Sequence, residues 1–224
     1  MKKLYPLLSV LFLISVGFGQ NKVNINNLVQ YGDKWFKEND DKPYTGRVFD
    51  LFKSNGKKKL EGGYKDGLMN GKWIWWNENG NKIKEGSYIK GNGTDIDSKF
   101  GSPLNGRHGI WTLWRENGKK YKMTYKDGKR DGLETVWYKN GQKERELTYK
   151  DGIPDGLKTE WYKNGQKESE LNFKDGELDG LEKRWYENGQ KKEERAYKDG
   201  EIISEKWWNE DGKKEFEGIY KNGN

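Results

Sequence analysis

The residue types that could do chemistry are few and unhelpfully placed. His108, in LNGRHGIW, is the only histidine, and the 224-residue chain has no cysteine. Without a thiol or a second imidazole, neither a nucleophile–base pair nor a histidine-rich metal site can be assembled around it. His108 reads instead as a residue ordering a turn. Carboxylates are abundant but recur at fixed intervals, so no two have the private surroundings that would separate a general acid from a general base. The Asp-Gly stretches KDGIPDG and KDGELDG lack the alternating ligands and distal glutamate of a calcium loop. Between residues 89 and 106 Asp95 and Asp97 approach that spacing, but Lys99 stands where a third ligand belongs. The glycine-rich turns are not followed by a helix start or by the Gly-Lys-Ser/Thr of a phosphate cradle. Asn92-Gly-Thr94 fits a glycosylation acceptor in form only. The expectation is a protein that is not an enzyme and has no cofactor and no metal.

What these residues do share is a period. Taking the glycine of each Asn-Gly or Asp-Gly turn as origin gives Gly56, Gly80, Gly118, Gly141, Gly165, Gly189 and Gly212. Four positions earlier stands an aromatic each time: Phe52, Trp76, Trp114, Trp137, Trp161, Trp185 and Trp208. Two positions later stands a lysine, from Lys58 to Lys214, and five later a glutamate, broken only by Met123. Such self-similarity at 23–24 residues is the mark of a repeat array. The segment 89–106 interrupts it by about 14 residues and is expected to leave the regular surface as a loop.

Each repeat is two short runs around Asn-Gly, the strongest local hairpin signal. A three-residue loop ending in glycine pairs Tyr162 with Gln166. It is expected to place Leu157, Thr159 and Trp161 on one face with Lys167, Ser169, Leu171 and Phe173. Lysine would then lie cross-strand from tryptophan, its stem against the indole, with the glutamates on the opposite face. The fold class expected is all-β: an elongated antiparallel sheet of tandem β-hairpins. One repeat cannot bury enough to fold alone, so neighbours must stabilise one another.

The opening residues, MKKLYPLLSVLFLISVGFGQ, join two lysines to an apolar run and small residues, the pattern of a cleaved secretory signal over 1–19. No cysteine follows, so no lipoprotein anchor is expected, and the location inferred is exported: periplasmic, cell-surface or secreted. Residues 20–43 read as an N-terminal hairpin cap and 44–224 as the array. Leu, Ile, Val and Phe make up under a fifth of the chain, a proportion that suggests disorder; 11 Trp and 13 Tyr supply the missing apolar surface. The net charge of +7 is interleaved rather than clustered, which argues against nucleic acid.

A change of polarity singles out candidate binding residues. On the second strand face the early repeats carry Phe49, Leu51, Trp73, Trp75, Trp111 and Leu113, where the middle repeats carry Glu, Lys, Arg and a tyrosine stripe, Tyr138, Tyr162 and Tyr186. Either the inserted segment or the N-terminal hairpin covers the aromatic patch, or it is exposed and anchors a partner.

These motifs (Tyr-x-Asp-Gly, a second Asp-Gly or Asn-Gly, an aromatic, then Asn-Gly with Lys and Glu) resemble the MORN-repeat variant family. The resemblance spans about 44–224, and Asp41-Lys-Pro-Tyr-Thr-Gly46 is similar to a common opening phrase of that family. The 89–106 insertion and Ile202, where other first strands open on glycine, depart from it. The resemblance implies an antiparallel hairpin sheet without catalytic residues. It further implies a protein-binding scaffold, with two alternatives: an antitoxin or immunity protein of a bacterial toxin pair, or a surface glycan or phospholipid binder. The partner expected is a protein, a toxin or envelope component; a membrane-surface contact is less favoured.

Overall fold

The structure, a computed structural model, describes residues 22–94, 96–97 and 101–220. The signal segment at 1–19 lies outside these residues. Among them there is no α-helix, only one 3-10 turn, Ile25–Asn27.

The N-terminal cap comprises β1 (Val23–Asn24) and the hairpin β2 (Leu28–Tyr31)–β3 (Lys34–Lys37), turned at Gly32. The array follows. Its early hairpins are β4 (Gly46–Leu51) with β5 (Lys58–Lys65), and β6 (Leu68–Trp76) with β7 (Lys82–Gly91). The inserted segment holds the short pair β8 (Ile96–Asp97)–β9 (Ser102–Pro103). Then come β10 (Arg107–Trp114), β11 (Lys120–Lys126), β12 (Lys129–Arg130), β13 (Gly132–Trp137) and β14 (Lys143–Lys150). The last are β15 (Ile153–Trp161), β16 (Lys167–Lys174), β17 (Glu177–Leu178), β18 (Gly180–Trp185), β19 (Lys191–Lys198), β20 (Glu201–Trp208) and β21 (Lys214–Ile219). From β4 onward the sheet is an antiparallel meander, and β7 pairs directly with β10 across the insertion. β1 adds a parallel rung on β4.

The two ends of each hairpin are built differently. At one end Asp-Gly dipeptides make two-residue turns with both residues left-handed, as Asp151 (φ 50°) and Gly152 (φ 94°), which match strand twist. At the other end the three-residue loop expected from the sequence is present: the Tyr162 N–H donates to Gln166 O (2.9 Å), and Gly165 N–H to Tyr162 O (2.9 Å).

The faces, however, differ from those expected. Trp161 pairs with Lys167 but Glu160 pairs with Ser169, leaving Glu168 as a bulge. One extra residue reverses the facing of everything beyond it. Trp161, Lys167, Thr159, Glu170 and Leu157 therefore share the outer face, while Glu160, Ser169, Lys158, Leu171 and Phe173 share the inner one. Lys59, Ile83, Glu144, Lys192 and Glu215 are equivalent bulges. The glutamate column consequently lies beside the lysines: Lys58–Glu61 (3.1 Å), Lys143–Glu146 (2.8 Å) and Lys191–Glu194 (2.9 Å) are ion pairs three residues apart in sequence. In the third repeat Trp114 pairs with Lys120 and Leu113 with Tyr121, without a bulge. That missing residue is why Met123 replaces a glutamate: it faces inward and is buried. The first repeat carries one extra loop residue, because Phe52 pairs with Lys57 across Lys53–Gly56. Phe52 thus belongs with the tyrosines, and Leu51 with the tryptophans.

Neighbouring repeats are stapled at their tips. Tyr138, Tyr162 and Tyr186 donate their hydroxyls to the carbonyls of Trp161 (2.8 Å), Trp185 (2.7 Å) and Trp208 (2.9 Å). Lysine lies over the tryptophan of the next repeat: Lys120 over Trp137 (4.9 Å), Lys143 over Trp161 (5.4 Å), Lys191 over Trp208 (5.0 Å).

Candidate functional site: two faces of one sheet

The core sits on the inner face of the early repeats. Trp73 (1% exposed) and Trp111 (0%) lie flat on the sheet. The room for them comes from Gly62 and Gly86, where a Cβ would stand 2.1 Å from the respective indole. Trp75 stacks on Trp73 (5.8 Å, 25°) and tilts against Trp111 (6.0 Å). Tyr64 and Tyr88 meet these rings edge-on, and burial raises both phenols' pKa.

The inserted segment does not leave this surface; it folds back onto it. Arg107, fully buried, donates to Pro103 O (2.8 Å), Ser102 O (2.9 Å), Ser102 Oγ (2.7 Å) and the Tyr125 hydroxyl (2.9 Å), and pairs with Asp97 (3.2 Å). Tyr88 donates to Pro103 O (2.9 Å) and Lys84 to Gly101 O (3.3 Å). Burial, with nearby Arg107, lowers the Lys84 pKa to about 8, and its ammonium lies 4.5 Å from the Trp75 ring. The cap covers the first repeat, with Leu28 buried and Trp35 against Tyr64.

The six residues singled out for partner binding therefore do not form one exposed patch. Trp73, Trp111 and Leu113 are core, and Trp75 packs among them half-buried. Phe49 and Leu51 are on the outer face instead, opposite Glu61 and Lys58. The tyrosine stripe is half-buried, with its hydroxyls engaged in the staples. His108 lies in β10 opposite Ser87, in a strand rather than a turn.

From repeat four onward the inner face changes to interlocked charge. Glu134 is held by Arg145 (2.5 Å) and Arg130 (3.0 Å); Glu182 by Arg184 (2.6 Å) and the Tyr197 hydroxyl (2.8 Å). Arg195 pairs with Glu193 (2.5 Å) and Glu205 (3.3 Å). Such pairs satisfy one another rather than offer free charge. A cavity of about 210 Å³ beside Trp207, Tyr186 and Arg195 opens near the last hairpin. Among the described residues no three His, Cys, Asp or Glu side chains gather as metal ligands, and no helix is long and apolar enough to cross a membrane.

The outer face carries what sequence reasoning missed. Ile110, Leu133, Leu157 and Leu181 are 54%, 46%, 47% and 46% exposed. They face Thr124, Thr148, Asn172 and Ala196 in register, so they form one row crossing the sheet at two-strand intervals, ~9.6 Å. Beside them, Lys126, Lys150, Lys174 and Lys198 form a second exposed row with no ion pair among the described residues. The signal was present as Leu or Ile eight residues before four consecutive turn glycines, Gly118, Gly141, Gly165 and Gly189, but the wrong facing hid it among core positions.

The model of the MORN repeat variant matches residues 69–90, 107–127, 130–151, 154–175, 178–199 and 203–222. These segments cover more than half of the chain, each spanning one strand-turn-strand unit. No curated protein matches it.

Proposed function

The chain belongs to the MORN repeat variant family, repeat modules that commonly mediate protein or membrane interaction, and on that premise we propose that it is an exported, non-enzymatic scaffold whose outer face binds a protein partner. The observation carrying this reading is the row Ile110, Leu133, Leu157 and Leu181, apolar side chains that the core does not use. A fold that needed only solubility would place polar residues there. The partner chemistry that fits is an acidic amphipathic helix lying across the strands. Seven helical residues advance ~10.5 Å, close to the ~9.6 Å between aliphatics, and the lysine row beside them attracts carboxylates.

An anionic membrane offers similar chemistry, so the test separates the two. A fluorescent acidic peptide with leucine at every seventh position is titrated into the described chain, in parallel with vesicles containing anionic phospholipid. Peptide binding that Leu133→Asp/Leu157→Asp abolishes, and that salt weakens, supports the reading. Binding to vesicles alone assigns the face to a membrane and overturns it, as does binding to neither.

A further inference from the structure

The Asn-Gly turns have a chemical property that the scaffold role does not use. We propose that they are sites of spontaneous deamidation, graded by the bonds between hairpin tips, with Asn79 and Asn117 the reactive positions. In this reaction the deprotonated main-chain nitrogen of the following glycine attacks the asparagine Cγ. The new N–Cγ bond forms, the Cγ–Nδ2 bond breaks, and Nδ2 leaves as ammonia after taking up protons from solvent. Water then opens the succinimide at either carbonyl, giving aspartate or isoaspartate. Glycine permits the attack because no Cβ obstructs its nitrogen.

Four turns hold the carboxamide at both ends. Asn55, Asn140, Asn164 and Asn188 donate Nδ2 to the next tip's carbonyl, at Glu78 (3.0 Å), Lys163 (3.0 Å), Glu187 (3.1 Å) and Glu210 (3.0 Å). Their Oδ1 atoms also accept a main-chain N–H two residues on, from Lys57 (2.9 Å), Gln142 (3.1 Å), Gln166 (2.9 Å) and Gln190 (2.9 Å). Rotation of Cγ toward the glycine nitrogen breaks both bonds. Asn117 keeps only the second kind, accepting from Lys119 N (3.0 Å). Asn79 has neither among the described residues, and both are exposed. Both exceptions involve the third tip, whose hairpin lacks the bulge of the others: Asn79 faces that tip and Asn117 belongs to it. The last described tip, which has no following tip among the described residues, carries Asp211 in place of asparagine. A carboxylate is thus tolerated in this loop, whereas isoaspartate adds a main-chain atom to a three-residue turn.

The experiment is site-resolved mass spectrometry of the folded chain incubated at mildly alkaline pH in H₂¹⁸O, with a parallel sample in urea. In the folded chain Asn117 is expected to react about fivefold faster than Asn140 or Asn164, the ratio that one hydrogen bond worth ~1 kcal/mol imposes. Asn79 should be faster still, and in urea the sites should converge because each is followed by glycine. Equal rates in the folded chain, faster reaction at the stapled sites, or a gradation that persists in urea would each overturn the proposal.

Discussion

A glycine is the residue that makes this core possible. Gly62 and Gly86 are inner-face positions where later repeats carry Leu147 and Leu171, and the indoles of Trp73 and Trp111 occupy the space those side chains would fill. Gly86→Ala sets a methyl against the fully buried Trp111 ring, which Trp75 flanks at a tilt and Tyr88 and Tyr125 meet edge-on, so the ring cannot simply swing away. Overpacking of this kind costs ~1–3 kcal/mol, and urea unfolding followed by tryptophan emission should show that loss. A surface change such as Glu116→Ala should stay within about 0.5 kcal/mol. No loss in Gly86→Ala would mean that Trp111 is not held flat. The pairing of large ring with missing side chain was invisible in the sequence, because Gly62 and Trp73 lie 11 positions apart, Gly86 and Trp111 lie 25 apart, and their meeting depends on strand register.

At the level of the hairpin, the turn chemistry was legible and the facing was not. Asn-Gly and Asp-Gly name their turns through local backbone preference, which needs no tertiary context. A bulge has no such signature, since Lys59, Ile83, Glu144, Glu168, Lys192 and Glu215 share no side-chain character. Ignoring it exchanged the two faces and made core tryptophans look like a docking patch. The bulge also makes a sharp prediction. Glu168→Ala removes only an exposed side chain and should change stability by less than about 0.5 kcal/mol. Deleting Glu168 should instead turn Leu171 outward and Glu170 inward, costing ~2–5 kcal/mol as for loss of a buried leucine. Chemical denaturation of the two variants decides the matter; similar stability would show that the strand re-registers at no cost. The third repeat shows that deletion can be accommodated when the sequence changes with it, since Tyr121, Met123 and Tyr125 supply inward apolar groups at the shifted positions.

Across the whole molecule the inner face runs from packed rings to paired charges. Trp73, Tyr88 and Trp111 are covered by the cap and the inserted segment, whereas farther along the array Arg195 pairs with Glu205 and with Glu182, a carboxylate buried among its charged neighbours, and Trp207 is 43% exposed. In an array whose repeats contact mainly their neighbours, stability is a sum of local terms and opening can start wherever those terms are smallest. Desolvated ring packing contributes more than ion pairs whose desolvation offsets their attraction. Opening should therefore begin at β20 and β21 and proceed toward β11. Hydrogen exchange measured by mass spectrometry should find the slowest amides in β6, β7, β10 and β11 and progressively faster ones from β16 to β21. Equal protection along the array would show that neighbour coupling exceeds the difference between the two halves and that the sheet unfolds as one unit. A graded result would place the outer aliphatic row across the boundary, with Ile110 on the rigid half and Leu181 on the half that can adjust to a bound surface.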